Sequence, residues 1–142
     1  LCSNLVLYYS GIDRFASEVL KSQIKNIEKG ENDMILKEMV NFCHKAILIL
    51  KRSRKFDEIG KMLNENWEMK KKLSKNVTNR KIDKIYDFAL KNGATGGKII
   101  GAGSGGFFMF YIPKKKMRNF LKKMNFLKQV KFKPVYEGSR FI

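Results

Sequence analysis

The chain has 142 residues, 44% of them hydrophobic, and carries 30 lysines and arginines against 13 aspartates and glutamates, a formal net charge of +17. That length supports one buried core and argues for a single domain over residues 1–142. No apolar run approaches the roughly 20 residues that cross a bilayer, and no charged-then-apolar leader opens the sequence, so a soluble, cytoplasmic domain without a membrane partner is expected.

The charge favours anionic partners: nucleic acid, an acidic surface, a phosphorylated metabolite, or another part of the same protein with the opposite bias. Cys2 and Cys43 lie far apart without a C-x-x-C partner, and His44 is the single histidine. Neither a disulfide framework nor a metal site is expected from them. The chain starts at Leu1 and enters an apolar run almost at once, which reads as a piece of a longer polypeptide.

Leu5 to Tyr9 forms a short β-type run ended by Ser10-Gly11. Ala16, Val19, Leu20, Ile24 and Ile27 then repeat at helical spacing, with Asp13 as the expected N-cap and Gly30 as the stop. Ile35, Met39, Phe42, Cys43, Ala46 and Leu50 mark a second, longer helix that runs out near Lys51-Arg52-Ser53-Arg54. Ile59, Met62, Leu63, Asn66, Met69 and Leu73 mark a third. A polar turn over residues 74–79 leads into a compact amphipathic helix with Ile82, Ile85, Tyr86, Ala89 and Leu90 inward, closed by Asn92-Gly93. Strands are expected over residues 98–100 and 107–112. Pro113 suits the first turn of the next helix, whose inward residues are Met117, Phe120, Leu121 and Met124. Residues 130–135 read as a final edge strand, because Pro134 cannot donate to a ladder. The pattern predicts an α+β fold, a ferredoxin-like antiparallel sheet with helices packed on one face.

Between the two middle strands lies Gly101-Ala102-Gly103-Ser104-Gly105-Gly106, preceded by Gly96-Gly97-Lys98. Without Cβ atoms such a loop takes positive φ and leaves backbone N–H groups uncovered, which suits a phosphate or a closely packed neighbouring segment. The spacing Gly101-x-Gly103-x-x-Gly106 matches a dinucleotide fingerprint, but a strand follows it where that fingerprint needs a helix N-terminus. No Gly-Lys-Ser/Thr ends the run, so a P-loop is excluded as well. A glycine hairpin that serves only tight packing is the alternative.

Taken in order, Tyr9-Ser10-Gly11 with Arg14 and Ala16-Ser17, Asn66-Trp67 with Lys70, and Gly93-Ala94 leading into the glycine loop resemble the C-terminal domain of the GHMP kinases. Within that superfamily the chain is most similar to the D-glycero-D-manno-heptose 7-phosphate kinases over nearly all of its length, including the closing Glu137-Gly138-Ser139-Arg140. The resemblance implies phosphoryl transfer from ATP, with Mg²⁺, to a hydroxyl of a phosphorylated sugar. It places Gly101 to Gly106 in a cleft between two domains. Ser104 departs from the pattern, standing where relatives usually have glycine, which reduces φ freedom at that position and adds a hydroxyl able to donate to a phosphate.

The phosphate loop and the acidic residue that acts on the acceptor hydroxyl belong, by the same resemblance, to an N-terminal domain outside this chain. No catalytic residue, bound ATP or metal is therefore expected in these 142 residues. Arg14 is the first candidate for the substrate phosphate, since a guanidinium can hold it through two hydrogen bonds. Lys98 and Arg140 follow, although strand alternation can turn Lys98 from the loop. Asn66 and Trp67 are expected to be a packed, hydrogen-bonded structural pair. Two rival readings stay open: a nucleic-acid-binding module that uses Phe108, Phe110 and Tyr111, and a homodimer-forming domain.

Overall fold

A computed structural model describes residues 1–13, 15–52, 56–135 and 137–138, with Arg52 described by its backbone alone. Among these residues, β1 (Leu5–Tyr9), β2 (Gly96–Ile99), β3 (Phe107–Tyr111) and β4 (Lys128–Val130) form one antiparallel sheet in the order β2-β3-β1-β4. The connection from β1 to β2 holds α1 (Ala16–Glu28), α2 (Asp33–Arg52), α3 (Asp57–Lys72) and α4 (Arg80–Lys91), and that from β3 to β4 holds α5 (Met117–Lys123). This is the expected α+β sheet with crossing helices, and its strand order is fixed by pairing β1 between β3 and β4.

Strand alternation sorts the side chains. Val6 and Tyr8 of β1, Phe108 and Phe110 of β3 and Ile99 of β2 are buried, whereas Leu5, Leu7, Tyr9 and Met109 on the opposite face are only half-buried. Phe110 sits at the centre of the buried set. Its ring centroid lies 5.2 Å from Phe108, 5.7 Å from Tyr86 of α4 and 6.0 Å from Phe120 of α5. These contacts bring α4 and α5 onto one face of the sheet, with aromatic pairs in the offset and edge-on geometries that rings prefer.

The third helix approaches β2 at close range because both carry glycine at the contact. A Cβ on Gly96 would stand 2.0 Å from the Gly60 carbonyl oxygen and 2.9 Å from Asn64. The Tyr86 hydroxyl closes this junction: it lies 2.8 Å from Asn64 Oδ1 and 2.9 Å from the Gly97 carbonyl, and accepts the Gly97 N–H at 3.2 Å. Burial pushes its phenol pKa well above the ordinary value. At the other end, Tyr111 donates to Asp57 at 3.0 Å, so β3 holds the first turn of α3. The second helix packs on α3, and none of its described side chains is fully buried.

Several boundaries differ from the sequence expectation. The first helix starts after Phe15 with no side-chain cap, and Asp13 instead accepts a hydrogen bond from the Tyr9 hydroxyl. Gly30 does end that region, at φ +73°. A one-turn 3-10 segment, Lys114–Lys116, separates Pro113 from α5. The middle strands run over Gly96–Ile99 and Phe107–Tyr111. The last strand is Lys128–Val130, not 130–135: it pairs with Leu7 to Tyr9, while residues 131–135 are all exposed and lack the packing that would hold them on the ladder.

Gly96→Ala forces a methyl into the Gly60 backbone, which cannot move without shifting α3. We expect a loss of about 3 kcal/mol or more, the upper end for overpacking, read as a lowered urea midpoint with an unchanged slope.

Candidate functional site

The glycine loop joins β2 to β3 and is fastened at both ends. Ile100 N–H donates to the Phe107 carbonyl at 2.8 Å, Gly106 N–H to Ile12 at 3.0 Å, and Ser10 N–H to the Gly106 carbonyl at 2.8 Å. Inside these ends the backbone leaves the usual right-handed regions. Gly103 has φ +119° and lies so near Val77 that a Cβ would stand 2.5 Å from its carbonyl oxygen. Ser104 also has a positive φ, +59°, and is buried. A serine bears that conformation at a cost of about 1–2 kcal/mol.

What holds it there is side-chain chemistry from the helices. Asn79 donates through Nδ2 to the Ser104 carbonyl at 2.9 Å and to its hydroxyl at 3.1 Å, while its Oδ1 caps α4 by accepting from the amides of Lys81 and Ile82, both at 3.0 Å. Gln23 of α1 donates to the Ala102 carbonyl at 3.3 Å. Lys70 of α3 donates to the Gly101 carbonyl. Three loop carbonyls are thus drawn toward protein donors. Among the described residues, the amides of residues 101–105 make no hydrogen bond to the protein. Carbonyls tied back and N–H groups unspent suit an anion where the loop is open, at Gly101 and Ala102, while Gly103, Ser104 and Gly105 are buried.

A concavity of about 360 Å³ opens beside this surface, with Tyr9 and Asp13 on one wall and Gly101, Gly103, Gly105 and Gly106 on the other. The Asp13 carboxylate is occupied by the Tyr9 hydroxyl, a bond that raises the phenol pKa above its ordinary value. The Ser104 hydroxyl lies elsewhere: with Asn76, Thr78 and Asn79 it lines a separate concavity of about 300 Å³.

On the α3 side of the loop two lysines converge. Lys98 donates to Asn66 Oδ1 at 2.8 Å, and Asn66 and Lys70 are one helical turn apart on α3. Burial, with a smaller contribution from the Lys98 charge, pulls the Lys70 ammonium down to about 8. Burial lowers that of Lys98 too, partly offset by the Cys43 sulfur. Among the described residues neither lysine has a carboxylate partner; the ion pairs there are Lys29 with Glu31 and Lys71 with Glu68.

Of the sequence candidates, the structure places Gly101 to Gly106 and Lys98 at this locus, while Arg14 and Arg140 lie outside the described residues. Asn66 is hydrogen-bonded as expected. Trp67 is fully buried, yet its indole N–H has no partner among the described residues. Sequence reasoning missed the roles of Gln23, Lys70 and Asn79. Asn79 carried a signal, since it directly precedes the periodic run of α4; Lys70 was masked by the Lys70-Lys71-Lys72 cluster. Both cysteines are exposed and free, and no group of three or more metal-ligating side chains occurs among the described residues. None of their helices is long and apolar enough to cross a membrane.

A family profile described as GHMP kinases C terminal matches residues 23–127. The chain belongs to this family. As a GHMP kinase C-terminal domain, it is 32% identical over 120 residues to the D-glycero-alpha-D-manno-heptose 7-phosphate kinase of Campylobacter jejuni. That match covers 82% of this chain and 34% of the relative. A bifunctional fucokinase/GDP-fucose pyrophosphorylase of Arabidopsis thaliana is 27% identical over 108 residues, 72% of this chain and 10% of that protein. The chain therefore spans about a third or less of the curated relatives it matches. Among solved structures, the Methanococcus jannaschii mevalonate kinase superposes with a TM-score of 0.70 at 26% identity, covering 89% of this chain and 37% of its own. The L. major mevalonate kinase in complex with R-mevalonate reaches 0.76 at 18% identity over 85% and 37%, a likeness of fold.

The Lys70 environment has a signature in stability. Its ammonium gives up a proton near pH 8 when folded and near 10.5 when unfolded, so between those values the unfolded chain holds more protons and stability rises with pH. In urea titrations from pH 7.5 to 10, wild type is expected to gain on Lys70→Met; a constant difference between the two would contradict the buried charge.

Proposed function

We propose that this chain is the substrate-side domain of an ATP-dependent kinase whose acceptor is a phosphorylated sugar, D-glycero-D-manno-heptose 7-phosphate being the leading candidate. The observation that carries the reading is the glycine loop, in a kinase-family domain, with its carbonyls engaged by Lys70, Gln23 and Asn79 and its amides unspent beside an open concavity. The identity to the Campylobacter jejuni enzyme supports the heptose phosphate; the mevalonate kinase structures make a different small alcohol the competing acceptor.

Phosphoryl transfer depends on in-line positioning and on donors aimed at charge spread over phosphate oxygens. When bound, ATP supplies the phosphoryl group and Mg²⁺ neutralises its charge. The donors present here, backbone amides and ammonium groups, suit phosphate oxygens. We assign the metal ligands, the nucleotide loop and the group acting on the acceptor hydroxyl to an N-terminal domain of the same polypeptide, a reading supported by the chain's covering 34% of the Campylobacter jejuni relative. Within this chain the loop receives phosphate, and Arg14, Lys98 and Arg140 are the cations proposed to accompany it. A cytoplasmic location follows from those substrates.

The nucleic-acid alternative needs aromatic side chains open to bases. Phe108 and Phe110 are fully buried and Tyr111 is 2% exposed, which removes that platform.

Two measurements bear on the reading. Given ATP, Mg²⁺ and heptose 7-phosphate, the 142-residue chain alone is expected to be inactive, and the polypeptide extended to the length of its kinase relatives active. Turnover by the short chain would overturn the division of roles. In the extended enzyme, Arg14→Ala is expected to raise KM for the sugar phosphate about tenfold or more, as losing a charged hydrogen-bond partner does, with KM for ATP nearly unchanged. Unaltered sugar kinetics would remove Arg14 from the site.

A further inference from the structure

We infer that the outer face of α4 and α5 is a docking surface for an anionic lipid membrane, held by lysine charge and by the exposed pair Phe88 and Phe126. The kinase reading plays no part in it.

Charge is concentrated on this face. Together α4 and residues 114–123 carry ten lysines and arginines against two carboxylates, Asp83 and Asp87, a net +8 out of the +17 of the chain. All ten cationic side chains are exposed, and among the described residues none of them forms an ion pair. Asp83 already accepts the Thr78 hydroxyl at 2.8 Å. The helices are one-sided because α4 turns Ile82, Ile85, Tyr86 and Ala89 inward and α5 turns Phe120 inward, leaving the lysines outside.

The two cationic stretches form one surface. Tyr86 and Phe120 both pack on Phe110, which lays α4 and α5 on the same side of the sheet. Lys91, Lys115 and Lys116 line a single concavity of about 420 Å³ with Asn92 and Asn119. Phe88 of α4 meets Phe126, just beyond α5, edge to face at 5.4 Å, and the two rings are 38% and 57% exposed. Along α4, Lys84, Phe88 and Lys91 follow at intervals of four and three residues, on one face of the helix.

Lysines alone make an ordinary solvated surface, but an exposed aromatic pair among them adds an apolar contact that water does not reward. An anionic bilayer uses both. Its surface potential attracts basic side chains within a Debye length, and its interface accepts apolar side chains that lie among them. Eight of the ten cations are lysine, a point charge without the forked donor geometry that reads a nucleic acid. The rings are turned on each other at 81°, a wedge and not a platform on which bases stack. The contact is peripheral: none of the described helices is long and apolar enough to cross a membrane. The expectation of no membrane partner rests on the lack of a spanning segment, and a peripheral contact needs none.

The test is co-sedimentation of the 142-residue chain with vesicles of phosphatidylglycerol and phosphatidylcholine in equal parts, and with vesicles of phosphatidylcholine alone. Binding to the anionic vesicles is expected, weakening as salt rises, with none to the neutral ones. Combining Lys84→Gln, Lys91→Gln and Lys122→Gln is expected to lower affinity about a hundredfold, as loss of three cations at an anionic surface does. A control of equal net charge, Lys21→Gln with Lys25→Gln and Lys37→Gln on α1 and α2, is expected to lose less than about tenfold. Phe126→Ala is expected to weaken binding about tenfold without changing its salt dependence. All seven positions are exposed, so these variants keep the core intact. Absence of binding to anionic vesicles, equal losses in the two triple variants, or undiminished binding of Phe126→Ala would overturn the surface as proposed. A mixed-sequence single-stranded DNA is added as competitor at equal phosphate concentration and is expected to leave the vesicle complex in place. Displacement by it would assign the face to nucleic acid and overturn the lipid.

Discussion

The close approach of α3 to β2 is the constraint on which the rest of the molecule depends. Glycine on both sides lets a helix backbone sit against a strand where any Cβ would overlap the Gly60 carbonyl. The phenol of Tyr86 then spans the junction, satisfying the buried Gly97 peptide and bonding the half-buried Asn64. Buried polar groups that are fully paired specify one arrangement, because any slip leaves them unpaired at a cost of several kcal/mol. Helix, strand and loop are therefore held in a single register, and that register carries Lys70 and Lys98 to the edge of the glycine loop.

The loop itself illustrates how a flexible sequence becomes a defined surface. Glycine allows its torsions but does not choose among them. The choice comes from Gln23, Lys70 and Asn79, which take three carbonyls and so orient the peptide dipoles between them. Ser104 belongs to this scheme as a fastening point: both its carbonyl and its hydroxyl face Asn79, and the left-handed torsion is the consequence. Ser104 is thus held by its contact with the cap residue of α4.

Charge acts at two ranges. The net +17 is spread mostly over solvated lysines and biases the domain toward anions without selecting one. Lys70 and Lys98 are partly desolvated and have no carboxylate partner among the described residues. The cationic run Lys70 to Lys72 does not act as a unit, since Lys70 turns inward to the loop while Lys71 pairs with Glu68.

Much of the fold could be read from residue order. Helical periodicity located every α-helix, β-alternation with glycine punctuation located the central strands, and the glycine loop with its flanking elements carried the family resemblance, because these are local patterns of spacing and backbone freedom. Some ends were misplaced for want of tertiary partners. Asp13 read as a cap because caps are usually Asp, yet Tyr9 claimed its carboxylate; residues 131–135 read as a strand, but the ladder stops at Val130. By itself the sequence determined an α+β domain built around a glycine hairpin and marked by a strong positive bias. Only the tertiary structure decided which side chains hold that hairpin and which lysines stand half-buried beside it, Lys70 and Lys98. Those properties arise from contacts between α1, α3, the α4 cap and β2, whose distances along the chain hide their proximity.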